Sequence, residues 1–420
     1  KPLPMGAMAF LGMLMLCVTN TLSVPVALTA FSSSSVWLIV MAFFIARGFI
    51  VTGLGRRLAL HFLSIFGKHP LGLGYGIVMS DLLMAPAIPS STARCGGVIL
   101  PIVRGIADSL DSRPGDSSSR RIGAFLNLTA FHTTVISSTM FVTAMAANPL
   151  AMQLCCDAGY PVSWGKWAIA GLLPGIISLI VLPPLLWVLH PPELRDTKEA
   201  AASAKQQLAD LGGFSLSESI LMATFGLMLV LWIAGPAWGV DPALAAMVGL
   251  GLLLISKVLT WDQIKSETGA WDTLMWFAIL VMMAGQMNKL GLMTSLGAAV
   301  SDTVGGLSWP MALALLGALY YYIHYLFASN TAHVSALFAP FFVILMSCGV
   351  PPMLAALSLC FLSALNGGLT HYSCGHAPLL FAAGYVDLAT WWKIGAAVST
   401  VLLAIWMLVG PVWWHVLGYW

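Results

Sequence analysis

The sequence has 420 residues, of which 59% are hydrophobic and 8% are charged, and its formal net charge at pH 7 is +2. A water-soluble domain cannot hide that much apolar surface, so the composition excludes a soluble enzyme and indicates a polytopic protein of the lipid bilayer. The seven cysteines are scattered through apolar stretches and lack the spacing of a disulfide framework or a zinc site. We therefore predict no cofactor and no structural metal, and no basic cluster indicates nucleic acid as a partner.

The apolar runs predict about nine membrane-spanning helices, at about 20 residues per span. In chain order they lie at 5–30, 36–54, 123–150, 167–189, 219–238, 242–260, 272–290, 354–384 and 392–416. The hydrophilic stretch 190–218 divides the chain into halves and is predicted to be a loop with a short surface helix. Since the chain begins at Lys1 rather than at Met, we expect its natural N-terminus to lie further upstream, and no cleavable signal peptide is visible.

Two further apolar segments, 71–103 and 310–345, each carry a polar motif near the middle. The first contains PSSTARCGGVILP at 89–101, and the second contains SNTAHVSALFAP at 329–340. In both motifs Ser-(Ser or Asn)-Thr-Ala is followed by seven residues and a proline, and matched positions are offset by 239. The duplication predicts one shared function for the two segments.

The distribution of Lys and Arg indicates how these two segments sit in the membrane. If both crossed once, eight cationic residues would face one side and nine the other. If both enter and return on one side, only Lys166 and Lys289 stay outside, and fifteen cationic residues face the cytoplasm. The positive-inside rule therefore favours two re-entrant helical hairpins, of which the first enters from the cytoplasm and the second from outside.

The two halves would then have opposite topology, with both hairpin tips near the middle of the membrane. Irregular backbone is tolerated at that depth only where it lines a polar cavity or is buried in protein. Inverted repeats with broken elements near the midplane are typical of secondary transporters. Helix N-termini offer free N–H groups and positive dipole ends that suit a carboxylate, and Ser and Thr hydroxyls add donors.

The paired motifs resemble those of the divalent anion:sodium symporter superfamily. The strings PSSTARCGGVILPI, SSTMFVTAMAANPLA and GGLTHYSCGHAPLLFAAGYVD look most like one branch of it. That branch holds the plastid 2-oxoglutarate/malate translocators and the bacterial citrate/succinate and tartrate/succinate antiporters. The resemblance runs from Lys1 to Trp420 and implies an all-α elevator fold, in which a scaffold domain forms a homodimer and a transport domain moves. It also implies that two family helices precede this chain.

The resemblance assigns each region of the chain to a part of that fold. The expected regions are 1–70 (scaffold helices of the first repeat), 71–150 (first hairpin and unwound helix, transport domain), 151–218 (last helix of the first repeat and cytoplasmic linker), 219–309 (scaffold helices of the second repeat), 310–384 (second hairpin and unwound helix, transport domain) and 385–420 (C-terminal helix). The unwound stretches are expected at Thr143–Pro149 and Thr370–His376.

Site residues follow from the same resemblance. The implied substrate-binding residues are Ser90, Ser91, Thr92, Thr143, Asn148, Ser329, Asn330, Thr331, Ser373, Cys374 and Gly375. In sodium-coupled members the cation would lie near Ser90, Ser91, Ala144, Ser329 and Asn330. One departure is that Ser91 stands where the family usually has Asn, and a single hydroxyl replaces an amide donor and a carbonyl acceptor.

Arg94 and His333 occupy equivalent positions, two residues beyond the threonine of each motif. One hypothesis is that they form a cationic pair that balances a bound dianion, because charges inside a membrane are costly and usually functional. The alternative is that Arg94 packs inside the protein against a carbonyl or against Asp81. In that case Asp81 pairs with Arg94 or caps the hairpin, whereas the other hypothesis for Asp81 is a proton or cation site. His324 lies in the matching arm of the second hairpin, and the same structural and functional hypotheses apply to it.

Three other histidines have simpler interpretations. His132 is predicted to be a buried, hydrogen-bonded side chain. His371 and His376 flank the second unwound stretch, and their spacing fits no helical metal motif. We therefore assign no metal site to them.

The leading functional hypothesis is exchange of small di- or tricarboxylates, of the malate, succinate, 2-oxoglutarate and citrate class, across a bacterial inner membrane. The first alternative is sodium-coupled symport of the same anions. An intramembrane hydrolase is a remote alternative, because no Asp or Glu shares a predicted helix face with a His at dyad spacing. A channel would need a continuous pore, which hairpins that meet at mid-membrane do not provide.

Overall fold

The computed structural model describes residues 3–291, 295 and 308–420, and within those ranges every ordered element is helical. The helices of the first half are α1 (Met5–Val18), α2 (Val24–Ala27), α3 (Ser34–Thr52), α4 (Leu54–Phe66), α5 (Pro70–Met84), α6 (Ser91–Arg94), α7 (Leu100–Ser109), α8 (Gly123–Met140), α9 (Ala147–Asp157), α10 (Trp164–Leu189) and α11 (Lys198–Asp210). A π-helical turn, Cys95–Ile99, joins α6 to α7.

The second half has the same alternation of long and broken helices. Its helices are α12 (Leu216–Ala234), α13 (Pro242–Ile255), α14 (Trp261–Lys265), α15 (Thr268–Lys289), α16 (Trp309–Tyr322), α17 (Asn330–Ser347), α18 (Pro352–Leu365), α19 (Ala377–Phe381) and α20 (Leu388–Val416). The end of the predicted scaffold region 219–309 lies largely outside the described residues, as does Lys1 of the charge count.

Six helices of the described ranges are long and apolar enough to cross a membrane, namely α3, α10, α12, α15, α17 and α20. Shorter apolar helices accompany them, including α1, α5, α13 and α18. The multi-pass membrane architecture is therefore confirmed, although the individual spans differ from the prediction. The predicted spans 123–150 and 354–384 are each two helices with a break between them.

The predicted span 5–30 is wrong in its second half, because α1 ends at Val18. The polar run that follows adopts a turn, in which Asn20 has a left-handed φ of 56°. Asn tolerates that conformation better than most residues. The short helix α2 then begins at Val24, with Pro25 in its first turn. Apolar composition alone did not reveal that this stretch changes direction.

Helix α4 is an element that the sequence analysis did not predict. Gly53 ends α3 in a left-handed conformation, with φ of 76°, and α4 begins at the next residue. Leu60 and Leu63 lie on its buried face, whereas the Arg56 side chain is exposed. A helix of 13 residues is too short to span a membrane, so span length alone does not predict this amphipathic helix.

The first predicted hairpin is a helix–break–helix unit. Helix α5 ends at Met84, an irregular stretch follows at 85–90, and a continuous helical arm runs from Ser91 to Ser109. Both ends of this unit are near the linker: the Thr197 N–H donates to the Lys68 carbonyl at 3.2 Å, and α11 contacts α7, where Ala204 and Pro101 line one cavity. The two ends are therefore close to the same short segment of chain.

The second predicted hairpin has the same form, with α16, a break at Phe327 and Ala328, and α17. The two unwound stretches are also present. Helix α8 gives way to irregular backbone after Met140, and α9 begins at Ala147, so Asn148 and Pro149 are helical rather than unwound as predicted. Asn148 bridges that break, because its amide donates to the Ser138 and Phe141 carbonyls at 2.7 and 2.9 Å.

Candidate functional site

The two duplicated motifs meet at one cavity of about 200 Å³. Its wall is formed by both hairpin tips, the first break and the second break. The lining residues are Phe43, Pro89, Ser90, Ser91, Thr92, Met145, Ala146, Ala147, Ala328, Ser329, Asn330, Thr331 and Gly375. Seven of the eleven predicted substrate-binding residues are therefore brought together, although they are separated by up to 285 positions (375 − 90) in the chain. We call this space the tip cavity.

The two repeated serines have the same local role. The Ser90 hydroxyl accepts a hydrogen bond from the Ala93 N–H at 3.1 Å, and the Ser329 hydroxyl accepts one from the Ala332 N–H at 3.4 Å. Each serine is thus the N-cap of the second arm of its hairpin. The duplication specifies where both arms begin, and it brings two helix N-termini to one cavity.

A helix N-terminus has N–H groups without an intrahelical acceptor and carries the positive end of the helix dipole. In the tip cavity these groups belong to Ser91 and Thr92 in one arm and to Asn330 and Thr331 in the other. The arms run on as helices to Ser109 and Ser347. Two such ends that converge on a small cavity make it attractive to an anion with two charged groups.

Three hydroxyl groups line the tip cavity without a protein partner. Within the described ranges, the side chains of Ser91, Thr92 and Thr331 make no hydrogen bond to protein. The Thr92 Oγ1 atom lies close to Gly375, since a Cβ added at Gly375 would be 2.4 Å from it. These hydroxyls are therefore available as donors to a bound ligand.

Asn330 connects the second tip to the second broken helix. Its amide nitrogen donates to the Ser363 carbonyl at 3.0 Å and to the Asn366 side-chain oxygen at 2.9 Å. Those partners lie at the end of α18 and just beyond it. Asn330 thus positions the second tip against the second break, and it also lines the tip cavity.

Four predicted substrate-binding residues lie behind the cavity wall instead of in it. Thr143 donates to the Pro86 carbonyl at 2.8 Å, and Asn148 bridges the first break. Ser373 donates to the Thr370 carbonyl at 2.9 Å, and the Cys374 sulfur lies 3.4 Å from His376 Nδ1. Their bonds hold the two breaks in shape, so we interpret these residues as positioning residues.

Arg94 is fully buried behind the first tip and does not line the cavity. Its Nε donates to Asp81 at 3.0 Å, and Asp81 also accepts from Ser137. Its Nη1 donates to the carbonyls of Ile88 and Ala144 at 2.9 and 3.1 Å. Its Nη2 donates to the hydroxyls of Ser137 and Ser138 at 3.2 and 2.7 Å. The prediction that Asp81 pairs with Arg94 is confirmed.

This pairing corrects the hypothesis that Arg94 offers a free positive charge to a dianion. The Arg94–Asp81 pair is formally neutral, and neither side chain is exposed. The guanidinium instead joins the first hairpin to α8 and to the first break, because its acceptors lie in all three. It also occupies the carbonyl of Ala144, which the sequence analysis placed among the sodium ligands.

The buried histidines His333, His324 and His132 differ in their packing and hydrogen bonds. His333 packs against the rings of Tyr320, His324 and Phe327 with centroid distances of 4.5, 4.9 and 5.1 Å, and it does not line the cavity. His324 bonds through Nε2 to the Ser373 carbonyl at 2.8 Å. His132 is buried as predicted, but among the described residues neither ring nitrogen has a hydrogen-bond partner, so that part of the prediction is wrong.

Comparison with known proteins gives the family. The profile described as "Sodium:sulfate symporter transmembrane region" matches residues 1–420. The chain belongs to this family. It is therefore a transporter of the divalent anion:sodium symporter superfamily rather than an enzyme, and the resemblance found in the sequence is confirmed.

Relatives in this symporter family match the whole chain. Dicarboxylate transporter 1 of Spinacia oleracea chloroplasts is 48% identical over 423 residues, which cover 100% of this chain and 74% of the relative. YflS of Bacillus subtilis (strain 168), whose name provisionally assigns it to malate transport, is 48% identical over 421 residues, covering 100% of this chain and 88% of the relative. The inner membrane protein YbhI of Escherichia coli (strain K12) is 35% identical over 395 residues, 94% and 82% of the two chains.

Solved transporter structures share the fold at low sequence identity. The YdaH transporter of Alcanivorax borkumensis has a TM-score of 0.63 with 16% identity, over 97% of this chain and 89% of that one. MtrF of Neisseria gonorrhoeae has a TM-score of 0.64 with 15% identity, over 95% and 84%. At such identities the likeness concerns the fold alone.

Some lining residues of this family member were missed by the sequence analysis. Phe43 comes from α3, Met145 and Ala146 come from the first break, and Ala147 is the first residue of α9. The last three of these lie inside the predicted unwound stretch Thr143–Pro149 and contribute to the wall there. Phe43 lies in an ordinary apolar helix, so no motif in the sequence marks it.

The contact between Gly375 and Thr92 leads to a testable prediction. Gly375→Ala should lower the initial rate of uptake into proteoliposomes strongly, because the new Cβ would displace the Thr92 hydroxyl from the cavity wall. The matched control is Gly97→Ala in the hairpin arm that contains Thr92, because a Cβ added at Gly97 meets no atom within 4 Å. Equal uptake by both variants would show that the Thr92 hydroxyl has no role at this site.

Proposed function

We propose that this protein is a secondary transporter of small di- and tricarboxylates, with the tip cavity as its substrate site. The observation that carries the proposal is that two capped helix N-termini and three hydroxyls, which have no partner among the described residues, converge on one cavity. Relatives named dicarboxylate transporters, nearly half identical along the whole chain, support the substrate class. Malate, succinate, 2-oxoglutarate and citrate are the candidates.

The cavity suits a small anion better than a large ligand. Its volume of about 200 Å³ is below the roughly 300–1,000 Å³ of pockets that hold drug-sized molecules. Each carboxylate would lie at one arm, where backbone N–H groups and the hydroxyl of Thr92 or Thr331 act as donors. Because the two ends face one cavity, a molecule with carboxylates at both ends can use both sets of donors.

We propose further that transport is exchange and does not need sodium. The Ala144 carbonyl, one of the oxygens expected near a sodium ion, already accepts a hydrogen bond from the Arg94 guanidinium. The guanidinium of the neutral Arg94–Asp81 pair therefore already uses one of the oxygens that would surround a sodium ion in sodium-coupled members. This arrangement supports a carrier that moves when substrate is bound and does not need a co-transported cation.

In this proposal the two helix–break–helix units are re-entrant hairpins of inverted repeats, and the hairpins move as part of an elevator. The contacts of Lys68 and Pro101 with the same linker support a hairpin that enters and leaves on one face. Single cysteines near Lys68 and near Arg104 should both be labelled by an impermeant reagent from the same side of the membrane. Labelling from opposite sides would mean that 71–103 crosses the membrane once.

The substrate is tested by a counterflow screen in proteoliposomes. Labelled succinate, malate, 2-oxoglutarate, citrate and tartrate are offered in turn, with and without sodium. We expect uptake of at least one dicarboxylate in sodium-free buffer, and uptake of none of them would contradict the proposal. The homodimer and the bacterial inner membrane location remain predictions from the sequence.

A further inference from the structure

A long apolar groove lies on the outside of the helices, away from the tip cavity. Its volume is about 430 Å³. Among the described residues its lining is entirely apolar and consists of Phe62, Met79, Leu82, Leu83, Pro86, Met140, Phe141, Trp164, Gly165, Ala168, Ile169, Leu172, Ile176, Phe225, Leu229 and Ile233. The lining comes from α4, α5, α8, α10 and α12 and from the irregular segments that follow α5 and α8, so the groove crosses the boundary between the first hairpin and the helices around it.

Helices α10 and α12 contact each other at the Trp164 end of the groove. There the rings of Trp164 and Trp232 are 5.3 Å apart, and a Cβ added at Gly165 would lie 3.8 Å from the Trp232 carbonyl. Beyond that contact the two helices face each other across the groove, with Leu172 on one wall and Leu229 on the other. The lining of α10 runs from Trp164 to Ile176, about 18 Å at the rise of an α-helix.

We propose that this groove binds one acyl chain of a membrane lipid as a defined site. Two of its walls belong to α10 and α12, which are long and apolar enough to span a membrane, and the lining residue Ile233 is 59% exposed, so the groove opens towards the bilayer. Its length of about 18 Å is close to one leaflet of a hydrocarbon core that is about 30 Å thick. An apolar concave surface at that depth loses dispersion contacts if it stays empty. A hydrocarbon chain restores those contacts and leaves no polar group of the groove without a hydrogen-bond partner.

The bound chain would support the first hairpin tip from behind. Pro86 and Phe141 line the groove, whereas Pro89 and Met145 line the tip cavity a few residues further along the chain. The Thr143 hydroxyl joins the two stretches through its bond to the Pro86 carbonyl. The lipid chain and the substrate would therefore contact opposite sides of the same two irregular segments.

The test measures lipid contact directly and does not depend on transport. The full-length protein is reconstituted with phosphatidylethanolamine that carries a diazirine in the middle of one acyl chain, irradiated, digested and mapped. Leu172→Trp fills the groove, and Leu173→Trp on the neighbouring residue is the matched control, because the two leucines are 44% and 38% exposed but only Leu172 lines the groove. Labelling is normalised to peptides around Met247, an exposed residue of α13 that lies outside the groove.

We expect peptides from 165–176 and 225–233 to be labelled above that reference in the unaltered protein and in Leu173→Trp. In Leu172→Trp their labelling should fall about tenfold, the effect of losing contact with roughly two methylene groups. Equal labelling of both variants would mean that the groove contacts only ordinary annular lipid, and it would overturn the proposal. An intermolecular cross-link from Leu229→Cys would show that a second copy covers this face, which would overturn it as well.

Discussion

Thr92→Ala and Thr331→Ala are each expected to lower the rate of dicarboxylate transport by about 5- to 150-fold while the protein still folds. Each hydroxyl lines the tip cavity and, within the described residues, has no protein partner. Its loss leaves a carboxylate oxygen without a donor, which costs about 1–3 kcal/mol. Initial rates of malate uptake into proteoliposomes, at equal amounts of reconstituted protein, measure the effect.

Thr139→Ala is the control for these two variants. Thr139 is buried in α8, and its hydroxyl donates to the Val135 carbonyl of the same helix at 2.9 Å, away from the cavity. A threonine that bonds back to its own helix contributes little, so this variant should transport at the normal rate. If both tip variants also transported normally, the anion would have to bind elsewhere.

The second large effect concerns Arg94. Arg94→Met should destabilise the protein by about 3–5 kcal/mol, because it leaves Asp81 as an uncompensated charge in the protein interior. Arg94 is fully buried and donates to five acceptors from the first hairpin, α8 and the first break. The thermal unfolding temperature of the protein in detergent reports the change, and sodium-free exchange should be lost.

Two further variants separate the charge from the packing. Arg94→Met combined with Asp81→Leu removes both charges, and it should be more stable than Arg94→Met alone. Lys198→Ala breaks an exposed ion pair with Asp196, in which the two side chains are 74% and 59% exposed, and should leave the unfolding temperature unchanged. If the double variant were no more stable than the single one, the Asp81 charge would not be the cause of the loss.

The sequence revealed the parts of the site that are encoded locally. Ser90 and Ser329 stand in a duplicated motif, and both are helix N-caps whose arms meet at one cavity. The helix–break–helix form of both segments fits the hairpins that the charge distribution favoured, whereas their entry and return on one side of the membrane stays a prediction. Asp81 was a natural partner for Arg94, because an Arg inside a membrane needs a counter-charge and few acidic residues lie nearby in the chain.

The parts that were missed depend on contacts between distant segments. Thr143 and Ser373 carry the polar groups of a binding site, yet their hydroxyls bond to the carbonyls of Pro86 and Thr370, and only the three-dimensional arrangement shows which way they point. Phe43 reaches the cavity from a helix without any motif. Helix α4 was missed because its length falls below that of a span, whereas its amphipathic pattern could have been recognised.

The measurement that tests the central claim most directly is trans-stimulation in sodium-free buffer. Proteoliposomes are loaded either with unlabelled malate or with an inert buffer of equal osmolarity, and entry of labelled malate is followed. If a dicarboxylate held between the two tips is what permits movement, the loaded vesicles should take up label rapidly and the empty ones should not, and added sodium should change neither rate. Uptake that requires sodium and proceeds equally well into empty vesicles would contradict exchange and establish sodium-coupled symport.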